Sequence, residues 1–481
     1  MKKINILKQV AVTVLALVIT ACNSWLKVEP DDRIVSENLY KDKAGYMTAL
    51  NGVYEELNEL TEFRIRTLDR MAQYYGSAAF DYNYYNGSSS SDYENTCKLR
   101  TNWDKSYSLI AGCNEIIRQC DGESGIVLNG GYYEMIKGEA LALRALLHFD
   151  LLRLYGPVWS EKDAESIPYM TRADRKTQPL LTGSAAADSV IADLRAAADL
   201  LEKVDPVIGE GKRDFSDGLG KNDWNYRQYR LNYFAVQVLL ARAYLWTGNT
   251  SQAGIVARDV INRASAFFPF VTSQYMLTTP DRMFSPEVLF SLYNLSRTSL
   301  IYNKHFAFSV WNVLTAYGPN STGRISYMYD NLNDYRQKMW IDAPNYEHSS
   351  TVSHLIKYQD ETTNGAEAYR YMIPLIRMSE AYLIAAECET DVQKAIDSYI
   401  NPLRFARNSP NLSATTRTEL MNHIKAEYTR EFVGEGQLFF YFKRLELATV
   451  PKADAANSTM NMPAGGYVVP LPDNEQQIRG L

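Results

Sequence analysis

The chain is poor in the residues from which catalytic and metal centres are usually built. It has five cysteines and five histidines in 481 residues. The cysteines, at positions 22, 97, 113, 120 and 388, include no Cys-x-x-Cys pair. Cys113 and Cys120 share a helical face, but a separation of about 10 Å by helical rise is too long for a disulfide. No two histidines stand at ligand spacing, so the sequence offers no zinc site. It also lacks Gly-x-Ser-x-Gly, a Walker loop and His-Glu-x-x-His. Basic charge is short as well: the formal balance is −6, and it falls by three, to −9, without Lys2, Lys3 and Lys8 of residues 1–21. A chain this acidic is a poor holder of a phosphate backbone, which argues against nucleic acid as a partner.

What the chain has is apolar periodicity and tyrosine. Hydrophobic residues make up 46% and charged residues 22%, a globular balance that can build a sizeable core. Tyrosine, at 34, outnumbers phenylalanine at 17 and tryptophan at 7. A dry core is served as well by Phe, so many of these hydroxyls are expected to meet water or a ligand. Residues 1–21 combine a basic start with an apolar run, Val10 to Ile19, too short to span a bilayer. This is the pattern of an export signal. Ile19-Thr20-Ala21-Cys22 resembles the lipobox of bacterial lipoproteins, with Cys22 as the lipidated residue. Several acyl chains on one residue would anchor the protein durably.

Residues 229–267 carry the clearest pattern. Tyr233, Val236, Leu240, Ala243 and Tyr244 form one helical stripe. Gly248-Asn249 breaks it, and Thr250 or Ser251 is the expected cap of a second helix bearing Ala253, Val256, Ala257, Val260, Ile261 and Ala264. So short a turn forces the two helices antiparallel. The device recurs with Leu375, Met378, Tyr382, Ala385 and Ala386, then Val392, Ala395, Ile396, Tyr399, Ile400 and Leu403. Further stripes are expected at 42–60, 103–117, 138–158 and 184–204. Together they predict a mostly α fold of about four tetratricopeptide-like helical hairpins that bury their faces by stacking. His148 reads as a core histidine, and Trp103 and Tyr107 as core aromatics.

Two stretches resist this reading. Residues 72–97 are rich in Gly, Ser and Tyr, and residues 268–372 show little helical period but much aromatic content. Loops of such length are usually functional. Asp214, Asp217, Asn222 and Asp223 in the 205–228 linker could hold a structural calcium, though their spacing matches no loop template, and no other cofactor is expected. Glu431 and Glu435 are the obvious carboxylate couple for glycoside cleavage. They end a helix beside Arg430 and Arg444, which favours a structural ion-pair network over an enzyme.

Trp103, Tyr107 and Cys113-Asn114, Gly138-Glu139-Ala140, Leu143-Arg144-Ala145, Tyr155-Gly156 and Leu240 to Leu245 follow one another in a recognisable order. So do Arg377 to Leu383, Glu427, Arg430-Glu431-Phe432, Gly434-Glu435-Gly436, Lys443-Arg444 and Leu471-Pro472 with Glu475. With Cys22, this series resembles the SusD/RagB family of outer-membrane nutrient-binding lipoproteins across essentially the whole mature chain. The resemblance implies a signal peptide, 1–21, and one SusD-like domain, 22–481. Its N-terminal part would be 22–215 and its C-terminal part 270–481, with the 229–267 helix pair between them. It also implies a surface-exposed, lipid-anchored receptor for an oligosaccharide, which passes its ligand to a SusC-like TonB-dependent transporter. Sugars need aromatic planes for their C–H faces and polar groups for their rims. On that ground Tyr82, Tyr84, Tyr85, Trp311 and Tyr317 are the expected platforms, with Asp81 and Arg324 as polar partners. A peptide or glycopeptide ligand, or a helical scaffold that binds only protein, remains the alternative.

Overall fold

The computed structural model describes residues 39–76, 82, 97–123, 125–174, 176–213, 224–307, 314–316, 323–345, 350–360 and 367–480. The expected leader, Cys22 and the linker residues Asp214, Asp217, Asn222 and Asp223 lie outside them. Helices dominate. In chain order they are α1 (Lys43–Glu56), α2 (Leu99–Gly122), α3 (Tyr132–Tyr155), α4 (Gly183–Leu201), α5 (Tyr233–Trp246) and α6 (Thr250–Ala264). Strand β1 (Val288–Tyr293) follows, with β2 (Thr315–Ala316), β3 (Trp340–Asn345), β4 (Ser350–Leu355) and β5 (Met372–Arg377). Then come α7 (Met378–Cys388), a helical stretch over 392–406, α8 (Arg417–Glu431) and α9 (Leu438–Arg444). None of the described helices is long and apolar enough to cross a membrane.

The pairs α1/α2, α3/α4, α5/α6 and α7 with 392–406 stack in sequence order, α2 on α3, α4 on α5 and α6 on α7. This is the hairpin array the periodicity predicts. Side-chain caps set the helix starts: Asp42 accepts from Gly45 N, Thr182 from Ala185 N and Asn232 from Ala235 N. The cap of α6 is Asn249, which accepts from Gln252 N, rather than Thr250 or Ser251. Only Gly248 of the break is left-handed, at φ +75°. Helix α5 differs from a one-sided stripe, because every side chain except Gln237 is buried. Neighbours α4, α6 and α7 enclose it, as expected of a helix apolar all round.

Two further expectations need correction. Leu375 belongs to strand β5, not to a helix, and all six β5 residues are buried. Pro374 lacks the N–H a helix interior needs, and β5 instead pairs antiparallel with β1. Region 268–372 is not merely irregular: it also supplies a three-stranded sheet in the order β2-β4-β3. The second hairpin's return helix widens into a π turn at Ile396–Ile400, just before Pro402. A proline there cannot close the regular ladder.

A buried ion network ties the strand pair to the helices. Arg377, at the end of β5, reaches Glu287, Glu431 and Glu435; Arg407 reaches Glu287 and Glu431; Arg336 reaches Asp334, Glu427 and Glu431. All of these side chains are at most 2% exposed. Removing one partner strands a desolvated charge. Glu431→Gln is therefore expected to lower the unfolding free energy by roughly 3–5 kcal/mol in urea denaturation, and a loss below about 1 kcal/mol would contradict this role. Burial alone would raise the pKa of Glu427, but Arg336, Arg430 and Arg404 hold it down to about 2. A depressed carboxylate contributes stability above its unfolded value, near 4, that is lost as the pH falls through 2. Denaturation between pH 4 and 2 should show this decline in the native chain and a flatter one in Glu427→Gln.

Candidate functional site

Beside the ion network, the chain forms a clasp. Burial pushes the Asp69 carboxyl up to about 8, against the pull of its donors. Those donors are Gly434 N at 2.6 Å, Gly436 N at 2.9 Å and the Tyr75 hydroxyl at 3.2 Å. Gly436 sits at φ +67°, and a Cβ there would stand 2.7 Å from the Arg64 carbonyl oxygen. The Gly-Glu-Gly motif is thus a backbone requirement. Its central Glu435 binds Lys357 and Arg377. Glu431 and Glu435 are both spent in ion pairs and offer no free acid and base couple for glycoside cleavage. Their partners are Arg336, Arg377, Arg407 and Lys357, not the expected Arg430 and Arg444, which bind Glu427 and Glu387.

The residues expected to hold a ligand fall into two groups. Asp81, Tyr84, Tyr85, Trp311 and Tyr317 lie outside the described residues. Tyr82 is 1% exposed, its hydroxyl donating to the Met71 carbonyl at 2.5 Å. That is a correction, because a ring enclosed on both faces cannot serve as an open platform. Arg324 is 5% exposed and starts a short helix, Arg324–Met328. Burial lowers its pKa to about 10, with Tyr74 as its neighbour, and its Nε has no acceptor among the described residues. His148 is structural, as expected: its Nε2 meets Met170 N and its Nδ1 the Arg144 carbonyl, and burial drops its pKa to about 3. Among the described residues no group of His, Cys, Asp or Glu has metal-holding geometry.

The described residues do form an open groove of about 730 Å3. One wall is the end of α1 and the turn after it, with Asn51, Glu55, Glu56, Asn58 and Glu59. The other runs from the end of β1 through Leu292, Tyr293, Asn294, Leu295, Ser296 and Leu300, and Tyr229-Arg230 closes one side. Region 268–372 thus lines the groove together with a helix of the hairpin array.

The groove's rings and floor are held firmly. The Tyr229 and Tyr293 rings meet edge to face at 5.3 Å, and Tyr293 meets Tyr371 at 5.4 Å. Tyr293 is 47% exposed and Tyr226, nearby, 39%. β-pairing fixes Tyr293 opposite Met372, and Asn58 Nδ2 donates to its carbonyl at 3.2 Å. Asn294 Oδ1 accepts from Ser296 N, closing a turn, and Arg297 reaches the Tyr369 and Met372 carbonyls. Beneath lies Arg230, 4.3 Å over the Tyr54 ring and bonded to Glu139 and Asn51. Glu139 also takes Tyr54 and Arg227, and Arg227 holds Asp205 in a bidentate pair. The ends of the 205–228 segment are therefore pinned in the core rather than being a simple linker. Burial and Tyr371 raise the Tyr293 pKa above its usual value, so its hydroxyl stays a donor at neutral pH.

Sequence reasoning covers Tyr293 only within the aromatic content of residues 268–372. The signal was thin: polar Asn51 and Glu55 on α1, away from its apolar face, then Asn58 and Glu59 in the turn after it.

Comparison with known proteins places this geometry. The profile of the SusD family matches residues 287–476, and that described as starch-binding, associating with the outer membrane, matches residues 24–207. The chain belongs to the SusD/RagB family, whose members are carbohydrate-binding, non-catalytic accessory proteins. It is 26% identical over 269 residues to the SusD-like protein P38 of Formosa agariphila. That alignment covers 52% of this chain, and the chain spans about half, 46%, of the length of that curated relative. A SusD superfamily crystal structure from Bacteroides thetaiotaomicron superposes with a TM-score of 0.70 at 19% identity, covering 91% of this chain and 98% of the other. A laminarin-binding SusD-like protein gives 0.59 at 19% identity, covering 91% and 98%. These two likenesses establish the fold alone. The clasp makes a test of that fold: Gly436→Ala should lower the unfolding free energy by more than about 1 kcal/mol in urea denaturation, through strain at positive φ, and an unchanged midpoint would contradict it.

Proposed function

We propose that this chain is a non-catalytic glycan receptor of the bacterial surface, and that the groove between α1 and the end of β1 takes the sugar. The observation that carries the reading is the exposed Tyr293 ring, braced by Tyr229 and Tyr371 beside an amide and carboxylate rim. Such a ring covers the C–H face of a pyranose while the rim takes its hydroxyls. Family membership supports the same conclusion, as does the printed description of one structural neighbour as laminarin-binding. Trp311, Tyr317, Tyr84 and Tyr85, with Asp81 and Arg324, keep a proposed part as further ligand contacts.

In this reading residues 1–21 are removed, Cys22 carries the lipid, and residues 22–481 form one domain. The receptor passes its ligand to a SusC-like, TonB-dependent transporter in the outer membrane. Titration calorimetry of the lipid-free mature chain against plant, host and microbial glycans tests the binding step. A binder recovered intact, whose affinity falls at least about tenfold in Tyr293→Ala, supports the proposal; the loss of one stacking ring is worth that much. Unchanged affinity would contradict the groove assignment. Cys22→Ala should release the chain from the membrane fraction of expressing cells, and retention there would contradict the anchor. Co-purification of a TonB-dependent transporter with the tagged native chain tests the hand-off.

A further inference from the structure

The groove offers apolar surface and oriented polar groups side by side. On its strand side Leu295 and Leu300 are 68% and 53% exposed, next to the open Tyr293 ring. A single exposed leucine is ordinary, but two in one concavity with an exposed aromatic ring are apolar surface that a ligand would cover. The side-chain amides are turned by their neighbours. Asn51 Oδ1 accepts from the Arg230 guanidinium, and Asn294 Oδ1 accepts from Ser296 N. Both of those partners can only donate, so each amide gives its oxygen to the protein. Its Nδ2 hydrogens are left without an acceptor among the described residues. The exposed Glu55 carboxylate, in no ion pair among the described residues, is the acceptor on the same rim.

We infer that this groove prefers acetamido sugars, those with an N-acetyl group on the ring. The inference rests on the groove being the glycan site and names the substituent it reads there. An acetamido group has three parts, and the groove holds a match for each. Its carbonyl oxygen takes a proton from Asn51 or Asn294 Nδ2, and its N–H donates to Glu55. Its methyl group covers Leu295 and Leu300 while the pyranose face lies on Tyr293. A sugar with hydroxyls alone can use the amides and the carboxylate, but it leaves the leucines in water. A free amine brings them a charge in place of a methyl group. Leu295 and Leu300 are the specificity-determining residues in this account, and Tyr293 is the platform that all the sugars share.

The test is calorimetric titration of the lipid-free mature chain with three tetrasaccharides that share one β-1,4-linked glucose backbone: N-acetylated, free-amine and plain hydroxyl. The N-acetylated form is expected to bind about tenfold more tightly than either of the others, through one buried methyl group and the amide's hydrogen bonds. Leu295→Ser combined with Leu300→Ser, at two exposed positions, should narrow that gap to about twofold with an unchanged circular dichroism spectrum. Equal affinity for all three sugars, lost in Tyr293→Ala, overturns the acetamido preference and leaves the groove standing as the site. A tenfold preference that persists in the serine variant overturns the leucine subsite. N-acetyl binding that also survives Tyr293→Ala overturns the groove assignment itself. Silence from all three probes overturns the inference, while the wider glycan panel still decides the groove.

Discussion

The buried pairing of Arg377 and Arg407 with Glu287 and Glu431 is the constraint on which the rest of the molecule depends. Glu287 precedes β1, Arg377 ends β5, Arg407 follows the last return helix and Glu431 ends α8. Four elements with distant positions in the chain therefore meet through charges that have no alternative partner in water's absence. Such a cluster adds little stability over an apolar one of equal volume, but it penalises any other arrangement of these elements. Its consequence is geometric. With β1 and β5 held in register, the end of β1 arrives beside α1, and the two together make the groove.

A second buried cluster does the same work on the helical side. Glu139, in α3, collects Tyr54 from α1, Arg227 and Arg230 from the segment before α5. This fixes the Tyr229-Arg230 step that closes the groove. The two walls are thereby positioned by separate networks, one under each, and the exposed tyrosines need no rearrangement to face a ligand. A pre-formed aromatic surface of this kind loses little entropy when a flexible sugar settles on it.

Much of this fold was legible in the sequence, because hairpin helices are local. The stripes at Tyr233–Tyr244 and Ala253–Ala264 are satisfied by neighbours within one or two helices, and the breaks at Gly248 and Asp391 are local as well. The misses have physical causes. An asparagine one residue earlier than the expected hydroxyl caps α6, and Pro374 sends an apolar run into a strand instead of a helix. Tyr82 sits in an alternation of aromatic and polar residues that looks like a sugar platform, yet its hydroxyl finds a backbone carbonyl and its ring is enclosed. The groove was the least legible part: Asn58 and Tyr293 are 235 residues apart. No local pattern announces such a meeting, which is made by ion networks whose members read in sequence only as scattered arginines and glutamates.

The central claim is that a sugar lies in this groove. A crystal structure of the lipid-free mature chain, grown with an oligosaccharide that binds it in solution, tests it most directly. The account predicts a sugar ring stacked on Tyr293, with hydroxyls directed to the amide and carboxylate rim of Asn51, Glu55 and Asn294. A fully occupied sugar held elsewhere, with the groove filled only by water, would contradict it.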